Sequence, residues 1–589
     1  MTIFAGIVTR RDGMTISDAE CLALRNAISR YPGDTPQVHR DRRTFFAKVD
    51  IGALDGPAWS VRPDGTFAML AGRPLLALDR ETPRRRAEDL AELHAAWSLG
   101  DDTAAARARG TFAAAHYDPA THRLTLATDK LGVRPIYYWI DADRVVFATA
   151  LRILEALAFV PKVADFRGMT ELACLGTPLG ARTPYAGIRI LRSGEVVRIS
   201  DTGVTHAQYW RWDRIAPSRR PETQLAQAAR DQFAAAVGRR LGDGRSAAAF
   251  LSGGLDSRAV VAALRNRGAR VDTFNFSLPG TQDRVFAAGF ARAAGTDHHE
   301  AAMTPEVELR FSTMLSAALL AGPAGPSSFG DRPRVVWSGE GGSMGAGHIY
   351  VDQAMVDTLR AGRRDAAITM YLDRQKAYVL DRLLQPKISA ALVDAPREGI
   401  AEELADVHPA DPGREMYLFL LLNDQRRHLA THFEDLDRDR LEFETPFYDS
   451  DFLTAMIEAP IDLCLYHRLY MKWLALLSPT AVSVPWQYYP GHVPCPLPIP
   501  EGLHYQWKPG GAPAFNAPRR RQLLRAAREM LRAPGFPDDA LRKGTIRLAS
   551  WVSRIRPGTY EYILRQADLY YRYCSRAGGR WTLTEAHGD

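Results

Sequence analysis

The stretch Ala247-Ala-Ala-Phe-Leu-Ser-Gly-Gly-Leu-Asp-Ser257, running on as Arg258-Ala-Val-Val-Ala-Ala-Leu-Arg-Asn266, decides the fold. Ala247–Leu251 is a short apolar run that ends in turn residues, so it reads as a buried strand. Ser257–Asn266 reads as a helix closed by Gly268, and Val271–Phe276 as the next strand. A long helix is predicted before them, over Thr223–Leu241. Strand, turn, helix and strand joined by short loops are the unit of a parallel α/β sheet. The turn itself has the makings of a phosphate cradle. Gly253 and Gly254 carry no Cβ and let an anion approach the backbone that begins at Leu251. The hydroxyls of Ser252 and Ser257 add to the free N–H groups at the helix start. Asp256 is a poor neighbour for phosphate alone, and makes sense as a Mg²⁺ ligand bridging protein and polyphosphate. The lysine of the usual nucleotide loop is absent.

Working outward, residues 1–214 have a different texture. Thr111–Tyr117, Leu124–Thr128 and Arg144–Ala148 are short strand-like runs broken by turns, which predicts antiparallel sheet with a few helices. Ile215-Ala-Pro-Ser-Arg-Arg-Pro-Glu222 has the composition of a linker. Two domains are therefore expected, over residues 1–214 and 215–589. The region 411–480 has helical periodicity. Residues 510–589 read as a helical, arginine-rich C-terminal region. Their densest basic run, Arg519-Arg520-Arg521, lacks the interleaved aromatics of a nucleic-acid platform.

The chain has 589 residues, 46% hydrophobic and 24% charged, with a net charge of +7. That is ordinary for a globular protein, with a surface that favours anionic ligands. The apolar runs Met314–Gly325 and Tyr417–Leu422 fall short of the ~20 residues that span a bilayer. No signal-peptide pattern opens the sequence. The cysteines at 21, 174, 464, 495 and 574 have no metal spacing and read as free thiols. The expectation is a cytoplasmic protein with no membrane and no nucleic-acid partner.

Several further segments carry a resemblance. The Leu251–Ser257 loop resembles the pyrophosphate loop of the ATP pyrophosphatases. Phe276-Ser-Leu-Pro-Gly280, Asp283, Gly295–Glu300, Ser338-Gly-Glu-Gly-Gly-Ser343 and Pro446-Phe-Tyr-Asp449 resemble segments of asparagine synthetases. In the first domain, Gly110–Ala113, Asp129–Pro135 with Tyr137-Tyr138, Phe147–Thr149, Arg192–Glu195 and Trp210 resemble the family's glutamine amidotransferase domain. The resemblance covers most of residues 1–480, in order. It implies an Ntn-type αββα sandwich followed by an adenine nucleotide α-hydrolase-like domain with a helical C-terminal extension. It further implies that ATP and Mg²⁺ are used, with Phe276, Ser338 and Gly339 joining the Leu251–Ser257 loop at the nucleotide.

Departures from that pattern narrow the function. The family's glutaminase nucleophile is a cysteine whose own α-amine is the base. Ala5-Gly-Ile7 stands in the matching place, and the internal Cys21 has no free amine, so no glutaminase activity is expected. Ser343 stands where the family carries a second Asp near magnesium. Glu442-Phe-Glu444 replaces Glu-x-Arg. The late lysine has no clear match, since Val484-Pro-Trp-Gln-Tyr-Tyr-Pro490 replaces its surroundings; Lys472 and Lys508 are the two candidates. Glu340 keeps the family position as general base or amine-orienting carboxylate, against the plainer reading of a helix-start glutamate. His298 and His299 read as structural.

Without ammonia from glutamine, an organic amine is expected to attack an acyl-adenylate. Among the amide-forming relatives, β-lactam synthetases usually carry a tyrosine at the position of Glu340. The glutamate, the length and the aromatic, Pro-rich Pro485–Pro500 look more like a lasso-peptide macrolactam cyclase. That resemblance implies a precursor peptide as substrate and a leader peptidase as partner. An ammonia-dependent asparagine synthetase and an inactive nucleotide-binding scaffold are the alternatives.

Overall fold

Alternation along the first strands sets the architecture. In the computed structural model, which describes residues 2–77, 85–300, 334–505 and 513–583, Thr2–Thr9 is a wholly buried strand. Phe4 and Val8 face one apolar layer, Ala5 and Ile7 another. Successive side chains alternate across the strand, so one buried strand serves two cores. The strands are β1 (Thr2–Thr9), β2 (Gln37–Arg40), β3 (Thr44–Asp50), β4 (Trp59–Val61), β5 (Phe67–Gly72), β6 (Phe112–Asp118), β7 (Arg123–Thr128), β8 (Tyr137–Ile140) and β9 (Arg144–Ala148). There follow β10 (Ala164–Asp165), β11 (Ile188–Ile190), β12 (Glu195–Ile199) and β13 (Val204–Gln208). One antiparallel sheet runs β11-β8-β9-β1-β3-β2 and a second β13-β12-β7-β6-β5-β4. Phe4, Phe46 and Phe147 of the first pack against Phe67, Met69 and Leu126 of the second. Helices cover both outer faces: Leu90, Leu93 and Trp97 of Arg86–Ser98 lie on the second sheet. Leu24 of Asp18–Ala27 and Leu154 of Leu151–Ala156 lie on the first. The expected four-layer αββα order is present.

The second half is built on a parallel sheet of five strands, β16-β15-β14-β17-β18. Its members are β14 (Ser246–Phe250), β15 (Arg270–Asn275), β16 (Asp297–Glu300), β17 (Val335–Trp337) and β18 (Glu442–Glu444). The predicted strand, helix and strand appear here within two residues of their expected ends, the helix as Leu255–Asn266. The region 411–480 is mostly helical, with one correction: β18 pairs in parallel with β17 in its middle. A strand of three residues, all of them buried, is too short to interrupt a helical periodicity. The apolar run Met314–Gly325 and Lys508 lie outside the described residues. No described helix is long and apolar enough to cross a membrane.

The C-terminal helices return to the first half. Tyr570, in the helix Glu561–Arg576, stacks on Phe166 with ring centroids 5.5 Å apart, and β19 (Trp581–Thr582) pairs with β10. Ion pairs also join the halves. Arg134 donates to Glu442 at 2.7 Å, Arg73 to Glu444 at 2.9 Å, and Arg30 to the buried Asp437 at 2.7 Å. Arg134 and Glu442 expose only 5% and 1% of their side chains, with the Phe433 ring 4.0 Å under the guanidinium. Removing one member strands the other charge in the interior. Arg134→Ala is therefore expected to cost about 3–5 kcal/mol in a denaturant unfolding experiment. Arg134→Met combined with Glu442→Leu is expected to recover most of that loss. A single-variant cost below ~1 kcal/mol contradicts the burial argument.

Candidate active site

The loop that follows β14 folds around its own hydroxyls. Ser252 and Ser257 lie 2.9 Å apart through their Oγ atoms, and the Ser252 N–H donates to Ser257 Oγ at 2.9 Å. Asp283 fixes the turn: Oδ1 accepts from the Gly253 N–H at 2.9 Å and Oδ2 from Asn275 at 3.1 Å. A Cβ on Gly253 would stand 2.6 Å from Asp283 Cα. The glycine thus serves close packing against Asp283 and does not line the cavity, a different reason from the anion access expected. Behind the loop, the fully buried Arg258 donates to the carbonyls of Gly254 at 3.1 Å, Val484 at 2.9 Å and Pro485 at 2.8 Å. Burial without a carboxylate partner pulls its pKa down to about 9. Gln487 N–H donates to the Gly253 carbonyl at 2.9 Å, so the segment Val484–Pro490 is tied to the Ser252–Ser257 loop.

A cavity of about 560 Å³ opens over this loop. Leu251, Ser252, Gly254, Asp256, Ser257, Phe276, Ser338, Gly339 and Glu340 all line it. Asp256 is held on both oxygens: Tyr470 donates to Oδ1 at 2.8 Å and Ser343 to Oδ2. A Cβ on Gly342 would meet the Asp256 carboxylate at 2.5 Å, so the second loop can lie flat on it only with glycine there. Burial raises the Asp256 carboxyl to about 6. Glu340 projects into the same space with no described hydrogen-bond donor on its carboxylate. Burial first, and then the Asp256 charge, raise it to about 7. No described Lys or Arg side chain lines the cavity.

Part of the cavity lining is aromatic and imidazole-bearing. Tyr350, Tyr488, Tyr489 and Tyr505 line it with His467 and His492, whose Nδ1 atoms are 2.6 Å apart. Burial and the neighbouring His492 depress His467 to about 3. Tyr466 and His467 have φ of 60° and 64°, back to back. Each left-handed residue costs on the order of 1–2 kcal/mol, and such strain gathers at functional sites. Neither histidine, nor Tyr470, was picked out from the sequence.

Residues 82–210 match the glutamine amidotransferase domain family and residues 228–318 the asparagine synthase family. The chain is 30% identical over 157 residues to asparagine synthetase [glutamine-hydrolyzing] 3 of Bacillus subtilis, covering 26% of this chain and 25% of that one. It is 26% identical over 196 residues to amidase chyE of Penicillium rubens, covering 32% and 28% of the two chains. The matched parts thus span about a quarter of those relatives' length. Glutamine phosphoribosylpyrophosphate amidotransferase from B. subtilis aligns at 12% identity over 64% of this chain and 79% of that one, with a TM-score of 0.21, too loose to carry an argument.

Two of the expected features stand apart from the cavity. Lys472 does not reach the cavity: it pairs with Glu222 on the surface, with 53% of its side chain exposed. It stands two positions from Tyr470 on the helix Arg468–Leu477, about 200° round the axis, so the two cannot face one site. At Ala5 the fold offers no nucleophile. Ala5 is fully buried in β1 between Ala47 and Ala148, and burial raises the Cys21 thiol. Purified protein is expected to release no glutamate from glutamine above background; a rate that a thiol alkylator abolishes contradicts this. His298 bonds Thr273 at 2.9 Å and His299 bonds Asp272 at 3.2 Å, both away from the cavity lining.

Proposed function

We propose that this chain is an ATP-dependent, AMP-forming carbon–nitrogen ligase. In this reading it adenylates an Asp or Glu side chain of a precursor peptide and joins it to the peptide's N-terminal amine, as in lasso-peptide macrolactam formation. One observation carries the reading: Glu340, its carboxyl unengaged and poised at about 7, shares a cavity with the Ser252–Ser257 loop. A group of that pKa is suited to taking a proton from an ammonium at neutral pH.

In the first half-reaction a carboxylate oxygen attacks the α-phosphorus of ATP and pyrophosphate leaves. Ser252, Ser257 and the N–H groups at the start of Leu255–Asn266 would hold the departing phosphates. Phe276 and Phe250, edge to face at 5.9 Å, offer an apolar seat beside them. Mg²⁺ fits the donor set, since Asp256 puts a carboxylate beside the Ser252–Ser257 loop in a lining with no described cationic side chain. Asp256 would hold it, and it would supply neutralisation of polyphosphate charge. In the second half-reaction Glu340 takes a proton from the ammonium, the free nitrogen attacks the acyl carbon, and AMP departs. Positioning and charge neutralisation are the protein's contribution throughout.

An organic amine is favoured over ammonia because the first half has no nucleophile at Ala5. A peptide is favoured because four tyrosines, Tyr350, Tyr488, Tyr489 and Tyr505, line the same cavity as the Ser252–Ser257 loop, and their amphipathic rings suit a chain of mixed side chains. A leader peptidase that frees the N-terminus is the upstream partner this chemistry requires. The test is ATP–pyrophosphate exchange, first with aspartate and then with acidic peptides bearing free or acetylated N-termini. Exchange with both peptides, and cyclisation of the free one alone, is the expected pattern. Asparagine formed from aspartate and ammonia, or no exchange with any acid, contradicts it.

A further inference from the structure

The helix Lys543–Ile555 has two apolar faces, and only one is buried. Ile546, Ala549, Ser550 and Ser553 pack inward. Leu548, Trp551 and Ile555 stand 55%, 59% and 58% exposed, and at 100° per residue they fall within an arc of roughly 40–60°. Tyr560 and Tyr562, 36% and 46% exposed, follow directly. Five of the exposed large hydrophobic side chains of the described residues thus fall within fifteen positions. Exposed arginines border the arc, Arg547 and Arg554 on one side and Arg556 on the other. Among the described residues none of the three makes an ion pair. Residues 542–565 hold six cationic side chains and one carboxylate, Glu561, which is engaged by the Gly558 N–H at 2.9 Å.

We infer that this face is a docking surface for an anionic lipid bilayer. An aliphatic and tryptophan stripe flanked by arginines is the composition of a helix lying in the interfacial plane. A second copy of the chain is disfavoured, because a two-fold contact would set Arg547, Arg554 and Arg556 against their own counterparts. Nucleic acid offers nothing to Leu548 and Ile555. The contact is peripheral, so it departs from the expectation of no membrane partner, which rested on spanning segments alone. With three anchoring side chains it is weak and reversible.

Co-sedimentation of the full chain with vesicles tests this. The parent should pellet with vesicles of about 70% phosphatidylcholine and 30% phosphatidylglycerol at low salt, stay in solution with pure phosphatidylcholine, and be released at ~0.5 M NaCl. Leu548→Ser/Trp551→Ser/Ile555→Ser should lower the bound fraction at least about fivefold. Arg547→Gln/Arg554→Gln/Arg556→Gln should do the same, and its surface changes keep the test decisive if the apolar variant fails to fold. A parent that ignores anionic vesicles, or variants that bind as the parent does, overturns the inference. So does light scattering that shows a parent dimer made monomeric by the apolar variant, or anionic binding replaced by capture of an acidic protein partner through this face.

Discussion

Asp256→Ala abolishes adenylation, with ATP–pyrophosphate exchange falling by on the order of 10³-fold or more. The argument is one of charge. ATP brings several negative charges into a cavity whose described lining has three carboxylates, Asp256, Asp283 and Glu340, and no Lys or Arg. Asp283 is already engaged by Gly253 and Asn275. Glu340 is assigned to the amine, and Asp256, held only by the neutral hydroxyls of Tyr470 and Ser343, is the carboxylate that would bring in a divalent cation; losing that neutralisation is worth several kcal/mol. Ser343→Ala and Tyr470→Phe each remove one neutral hydrogen bond to Asp256, worth about 1 kcal/mol, and should slow exchange roughly fivefold. Exchange by Asp256→Ala near the parent rate means the metal is held elsewhere.

Glu340→Gln separates the half-reactions. The substitution keeps size and hydrogen bonding while removing basicity and charge. Exchange should largely survive, and amide formation should fall by about 10²–10⁴. The acyl-adenylate would then be lost to water, seen as AMP release without cyclised product. The pH dependence follows from the sign of the shift. Glu340 acts as a base only when ionised, and burial with the Asp256 charge places its pKa at about 7. Amide formation by the parent should rise with pH up to about 7 and level off above it. The Gln variant should lack that ascending limb. Equal loss of both half-reactions assigns Glu340 to the nucleotide site or the fold instead.

Much of the frame is legible in the sequence where local signals agree. The run Ala247–Leu251, the glycines and the periodic helix after them point one way, and the strand and helix lie within two residues of expectation. β18 was not legible, because three residues inside a helical region carry almost no period-two signal. The charge partners of Glu444, which stands where Glu-x-Arg was expected, were not legible either; in the fold Arg73 and Arg240 stand beside it, at 2.9 and 3.6 Å. Residues that meet through long-range packing were beyond reach. Asp283 is thirty positions from Gly253, and Tyr470 more than two hundred from Asp256. Lys472 stands off the cavity because a lysine's place along the chain says nothing about which face of its helix it occupies.

The most direct measurement follows oxygen. A peptide with ¹⁸O in its acidic side chain and a free N-terminus is incubated with ATP, Mg²⁺ and the full chain, and the nucleotide product is weighed by mass spectrometry. Adenylation followed by amine capture predicts one ¹⁸O in AMP, none in pyrophosphate, and a cyclised peptide lighter than its precursor by one water bearing that label. Label in inorganic phosphate with ADP as the nucleotide product, or cyclisation without labelled AMP, contradicts the account.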